Sequence, residues 1–165
     1  MGRSKHKGNS GRFSGIPYRV IDSDAYKSLG GNAVKLLTLL GRQYNSHNNG
    51  NLLITQSKIG DWITKNTMYS AKEELHKKGF IVINAFGGKS FGEGRKLPSL
   101  YGLTYYPMHE LTDVNNEIRY THYRPSPIPL DYWKNGDNPD FRSREEIKSQ
   151  FKKDVKKIKK TNHHY

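Results

Sequence analysis

The chain contains no cysteine. Disulfides and thiolate-bound metals are therefore excluded, and nothing in the composition points to an oxidising compartment. It also lacks any run approaching the roughly 20 apolar residues of a membrane span. The basic start, Met1-Gly2-Arg3-Ser4-Lys5-His6-Lys7, leads into no apolar stretch and does not read as a secretory signal. It does not read as a myristoylation signal either, because His6 stands where Ser or Thr is wanted. Acid is scarce: 15 Asp and Glu face 28 Lys and Arg, a net charge of +13 and an isoelectric point near 9.8. Apolar residues make up only 33% and the mean hydropathy is -0.88, which suits one modest core in 165 residues. These absences leave a soluble, cytoplasmic protein as the expectation. A polyanion is the expected partner, nucleic acid ahead of an anionic membrane surface.

The charge sits at the ends. Residues 1–12 carry +4 through Arg3, Lys5, Lys7 and Arg12, and residues 142–160 carry +6, with Lys152, Lys153, Lys156 and Lys157 among their cations. Only +3 remains for residues 13–141. That layout reads as a folded body with basic arms; the plainer alternative is a pair of solubilising tails. Residues 1–15 have almost nothing apolar to offset the entropy of ordering, so they read as a flexible arm.

The patterning that follows predicts a definite order of elements. Ile16–Ile21 reads as a short extended lead-in, and Asp22 or Ser23 as the cap of a brief helical turn through Tyr26 and Leu29. Ala33, Val34, Leu36, Leu37, Leu39, Leu40 and Tyr44 predict a buried helix over about residues 31–44. Turn formers over 45–50 predict a loop, and Leu52-Leu53-Ile54 a short strand. Thr55 is placed to cap a second helix to Ile63, with Ile59, Trp62 and Ile63 turned inward. Thr64 is placed to cap a third, Lys65 to Lys78, in which Met68, Ala71 and Leu75 share one face. Gly79 falls where a helix ends in a left-handed residue. Two β runs follow, Phe80–Ile83 and Leu100–Tyr106, joined by a glycine-rich basic loop over 87–98. Residues 109–141 hold prolines and aromatics together, which suits irregular chain wrapped over the domain of 16–108. Ile147, Phe151, Val155 and Ile158 give the segment 142–165 an amphipathic stripe.

Helix, helix, turn, helix and β-hairpin is the plan of a winged helix-turn-helix. The expected fold is therefore α+β: a three-helix core plus a β-hairpin wing, with a flexible basic N-terminal arm and a basic C-terminal helix or tail. Burying Met68, Ala71 and Leu75 turns Asn66, Tyr69, Ser70, Glu73 and Lys77 towards solvent, and Thr64, Lys65 and Thr67 at the helix start join them as candidate DNA contacts. Free backbone N–H groups and the helix dipole favour phosphate at the first turn. Asn pairs with adenine, and Ser or Thr with several bases. On the wing, Lys89, Ser90, Arg95 and Lys96 are candidates for phosphate or minor-groove contact. Thr55, Gln56, Ser57 and Lys58, at the start of the second helix, are candidates for the DNA backbone.

The stretch Trp62 to Ile81, with Thr64-Lys65-Asn66-Thr67 at its helix start and Glu74-Leu75-His76-Lys77-Lys78-Gly79 at its end, resembles the recognition-helix segment of bacterial winged helix-turn-helix regulators, the GntR-like and related groups. Gly87-Gly88 and Ser99-Leu100-Tyr101-Gly102-Leu103-Thr104 extend the resemblance to small helix-turn-helix proteins of phages, plasmids and integrated elements. It covers about residues 16–108 and implies sequence-specific duplex binding by Lys65, Asn66, Thr67, Tyr69 and Ser70. Where many such regulators have a Gly before the third helix, Trp62 and Ile63 stand here. No ligand-binding domain follows the reader, so a metabolite-responsive repressor is not expected, and no small-molecule ligand is implied.

Competing chemistry is thinly supported. Gly88-Lys89-Ser90 has Ile83 where a phosphate-binding loop needs Gly, and it leads into a strand. None of the seven histidines forms a metal-binding helical pair, and His163-His164 reads as tail. Neither Asp22 with Asp24 nor Glu73 with Glu74 suggests acid–base work. The expectation is a non-enzyme without cofactor or metal. Tyr101, Tyr105, Tyr106, Tyr120 and Tyr123 suit core packing better than stacking on single-stranded bases. The C-terminal stripe suits an arm along DNA, with a homodimer contact or docking on its own domain as alternatives. Transcriptional control in a phage or mobile element is the leading role. A replication-initiation or partition factor, an RNA-binding protein and a protein-recruiting module are the alternatives.

Overall fold

The structure, a computed structural model, describes residues 13–89, 96–112 and 121–143, together with 145, 146 and 149. Two helical turns open it, α1 (Tyr18–Ile21) and α2 (Asp24–Lys27). α1 replaces the expected extended lead-in: Pro17 fixes its own φ near helical values, and its carbonyl accepts from the N–H groups of Val20 and Ile21. Ser23 is the cap of α2, its hydroxyl accepting from the Tyr26 N–H.

α3 (Gly31–Gln43) buries Ala33, Leu36, Leu37, Leu39 and Leu40 at the centre of the molecule. Its last side chain fastens the next element. The Gln43 amide donates to the Leu53 carbonyl (2.9 Å) and accepts from the Leu53 N–H (3.0 Å), satisfying the outer edge of β1 (Leu52–Leu53). α4 (Gln56–Ile59) passes into a 3₁₀ turn over Gly60–Trp62. Gly60 makes that break, at φ +62 and ψ -150, a region essentially reserved for glycine. The break also turns Trp62 outward, 60% exposed, against the expectation that it points to the core; only Ile59 and Ile63 do.

α5 (Lys65–Lys77) starts where Thr64 caps it, the hydroxyl accepting from the Thr67 N–H. Met68, Ala71 and Leu75 are buried, and the helix packs on α3. Glu74 ties the two together, accepting from the Gly30 N–H (2.9 Å) at the open start of α3 and pairing with Lys78 (3.1 Å). Gly79 ends the helix in the left-handed conformation, φ +76.

Strands β2 (Ile81–Ala85) and β5 (Leu100–Leu103) are antiparallel, and β5 also pairs with β1, so the sheet order is β1-β5-β2. Ile83 and Leu52 both pair with Tyr101 in register, and the register of β2 shifts between Ile83 and Ala85. There it gives way to a second small ladder, β3 (Gly88–Lys89) with β4 (Lys96–Leu97). The architecture is thus α+β with a small three-stranded antiparallel sheet, compatible with a winged helix. β5 is shorter than its apolar run: Thr104 turns the chain by donating to the Gly79 carbonyl (2.6 Å), the end of α5.

Residues 121–143 lie over the sheet and the end of α5. Trp133 is buried in the core, the Asn138 N–H donates to the Lys77 carbonyl (3.0 Å), and its side-chain amide to that of Ile81 (3.3 Å). Asp131 receives both Arg19 (2.9 Å) and Lys134 (2.7 Å), with the Trp133 indole N–H as a third donor (3.0 Å). Tyr101 and Tyr105 are core residues, and Tyr106 stacks on Tyr44 with ring centroids 4.4 Å apart. Residues 145, 146 and 149 are helical, but the stripe Ile147, Phe151, Val155 and Ile158 lies outside the described residues. No helix among the described residues is long and apolar enough to cross a membrane.

Candidate nucleic-acid interface

One helix carries most of the candidate residues. Thr64, Lys65, Asn66, Tyr69, Ser70, Glu73 and Lys77 are all exposed along α5, because the opposite face is spent on Met68, Ala71 and Leu75. Thr67 is half-buried, its hydroxyl sharing a hydrogen bond with that of Thr64 (2.8 Å). The cap uses the Thr67 N–H, which leaves the N–H groups of Lys65 and Asn66 without an intrahelical acceptor. Lys77 lies 12 residues on from Lys65, about 18 Å along the axis, so the two cations mark opposite ends of the surface.

The other candidates are placed unequally. On α4, Gln56, Ser57 and Lys58 are exposed and Thr55 is half-buried. The Thr55 hydroxyl bonds to that of Ser57 (3.0 Å) instead of to the helix backbone, and the Gln56 amide donates to the Gly60 carbonyl (2.8 Å). Gln56 thus holds the turn between the helices. Lys89 and Lys96 are backbone register partners in the β3–β4 ladder. Ser90 and Arg95 lie outside the described residues, as do Arg3, Lys5, Lys7, Arg12, Lys152, Lys153, Lys156 and Lys157.

A cleft of about 760 Å³ flanks α5, and sequence reasoning missed it. Lys65, Tyr69, Lys72, Glu73 and His76 form its helical wall; Ile83, Phe86 and Tyr101 form the sheet side, and Asp140, Phe141 and Arg142 close it. Two large aromatics stay open to solvent here, Phe86 at 74% and Tyr69 at 50% exposure. The Lys72 ammonium lies 5.1 Å from the Tyr69 ring centroid, within cation–π range. Burial lowers its affinity for the proton, partly offset by the charge of Glu73. His76 sits edge-on to Phe141, centroids 5.4 Å apart. Burial, reinforced by the Lys72 charge and opposed by Asp140, lowers its pKa to about 4, so the ring is neutral at physiological pH. The signal for this wall was present in the spacing: Lys65, Tyr69, Lys72 and His76 fall at intervals of four, three and four, a stripe that shares Lys65 and Tyr69 with the outward one. Phe86, Tyr101 and Arg142 join it only through the fold.

No protein-family model matches the chain, and neither a curated protein nor a solved structure matches it significantly.

Proposed function

We propose that this chain is a winged helix-turn-helix protein that binds double-stranded DNA without catalysing a reaction. α5 lies in the major groove, the β3–β4 hairpin meets the backbone beside it, and α4 approaches the flanking phosphates. The observation that carries this reading is the face of α5. It is continuous and exposed, and it opens with Lys65 and Asn66 at an uncapped pair of backbone N–H groups, where phosphate or a base edge finds donors. The strand order β1-β5-β2, the antiparallel β3–β4 ladder that follows β2 and the net charge of +13 support it. Glu73 is the one acid on this face and suits acceptance from a cytosine amino group. The resemblance around Thr64–Gly79 supports transcriptional control in a phage or mobile element, acting as a monomer on tandem sites or as a homodimer.

The test is selection from a pool of random duplexes at about 150 mM salt, with Asn66→Ala beside the parent. A defined motif that Asn66→Ala loses is the expected result, and its symmetry reports a dimer. Sequence-blind binding that survives Asn66→Ala and vanishes as salt rises would refute the proposal.

A further inference from the structure

A helix in the major groove reads base edges with its outward face. The cleft on the flank of α5 shares Lys65, Tyr69 and Glu73 with that face, but its other lining residues are not required for such reading. Phe86 and Tyr69 expose aromatic faces, and neither is needed to close the core. Lys72 is half-buried with its ammonium over the Tyr69 ring, and among the described residues no carboxylate comes within ion-pair distance of it. A partly desolvated cation with no direct ion pair, only the more distant charge of Glu73, favours an anion. A purely apolar occupant would leave Lys72 unanswered, and a bare anion would leave the aromatic faces unused. A nucleotide answers both, with a flat π-face and a phosphate in one unit. Of the two carboxylates in the lining, Asp140 already accepts from the Tyr123 hydroxyl. Glu73 remains as acceptor for a base amino group. The volume of about 760 Å³ falls in the ordinary range for sites that enclose a small ligand.

We infer that the cleft takes one unpaired nucleotide of the DNA strand held against α5, its base between Tyr69 and Phe86 and its phosphates towards Lys65, Lys72 and Arg142. The inference rests on the duplex-binding reading above and adds a substrate class to it: duplexes with an extruded or unpaired base. A paired base cannot enter, because both its faces are covered in the stack. A mismatched or bulged base has already lost much of that stacking, so binding it costs less.

The experiment compares two duplexes carrying the motif selected above, fully paired and with a single unpaired thymine, against the parent and Phe86→Ala. Phe86 is mostly exposed, so its loss leaves the core intact. The parent is expected to bind the bulged duplex about tenfold more tightly, the size of one base–aromatic stack, and to protect the thymine from permanganate. In Phe86→Ala the affinity ratio should fall towards one and the protection disappear. Equal binding of both duplexes with the thymine still reactive overturns the inference and leaves duplex binding standing. Binding to neither duplex overturns both.

Discussion

Replacing Asn49 by Ala should destabilise the protein by about 3 kcal/mol. Asn49 is fully buried, and its side chain holds β5 against the loop before β1. Its carbonyl oxygen accepts from the Leu103 N–H at 2.7 Å. Its amide faces the carbonyls of Leu103 (2.8 Å), Pro107 (2.9 Å) and Tyr106 (3.1 Å). An amide has two protons, so at most three of these four bonds form at once. Alanine removes all of them and orphans the Leu103 N–H in a fully buried strand, which alone costs about 1–3 kcal/mol. Water can reach the carbonyls of Tyr106 and Pro107, which are less buried, so these add about 1 kcal/mol together. Urea unfolding followed by the fluorescence of buried Trp133 measures the loss. With a slope of about 2 kcal/mol/M, the midpoint should fall by about 1.5 M at unchanged slope. Asn49→Asp keeps the shape but sets a second charged acceptor against the carbonyls, and should be at least as damaging at neutral pH. A shift under about 0.5 M for Asn49→Ala would show that the bonds are replaced by water and refute the reasoning.

Two further outcomes follow from the environment of α5. His76 has a folded-state pKa of about 4 against about 6.5 unfolded, so between those values the unfolded chain takes up the proton first. Stability is therefore full above about pH 6.5, declines as pH falls towards about 4 and levels off below, and His76→Gln should flatten that part of the profile. Urea midpoints across pH 7 to 4 that run parallel in parent and variant would contradict the burial account. Gly79→Ala should cost about 3 kcal/mol, combining left-handed strain at φ +76 with a Cβ only 2.7 Å from the Tyr132 backbone carbon. A thermal midpoint within about 2 °C of the parent would contradict it.

The elements readable in the sequence are those whose cause is local. Leucines at helical spacing place α3, the Thr64 hydroxyl places the start of α5, and Gly79 places its end. What was not readable depends on distant partners. The Trp62 side chain points outward because Gly60 breaks the helix two residues earlier, a break that apolar spacing alone does not reveal. The run Leu100–Tyr106 looks like one strand, but Thr104 finds the Gly79 carbonyl and turns. Trp133 reads as surface wrap in a proline-rich stretch and is in fact part of the core. The outward face of α5 was legible because burial of one side fixes the other. The cleft was not, because its far wall comes from β2, β5 and residues 140–142.

The tie between Arg19 and Asp131 has a consequence for how the protein is made. It joins positions 112 residues apart, and Tyr106 reaches back 91 residues to Gly15. Contacts of such separation form late, because the chain between them must first be closed into a loop. On the ribosome, α3 and α5 emerge with their apolar faces uncovered well before Trp133 and Asp131 are synthesised. The nascent chain therefore passes through an interval as a partly assembled helical unit, basic and apolar at once. Slow translation between codons 80 and 130 would lengthen that exposure, and fast completion would shorten it.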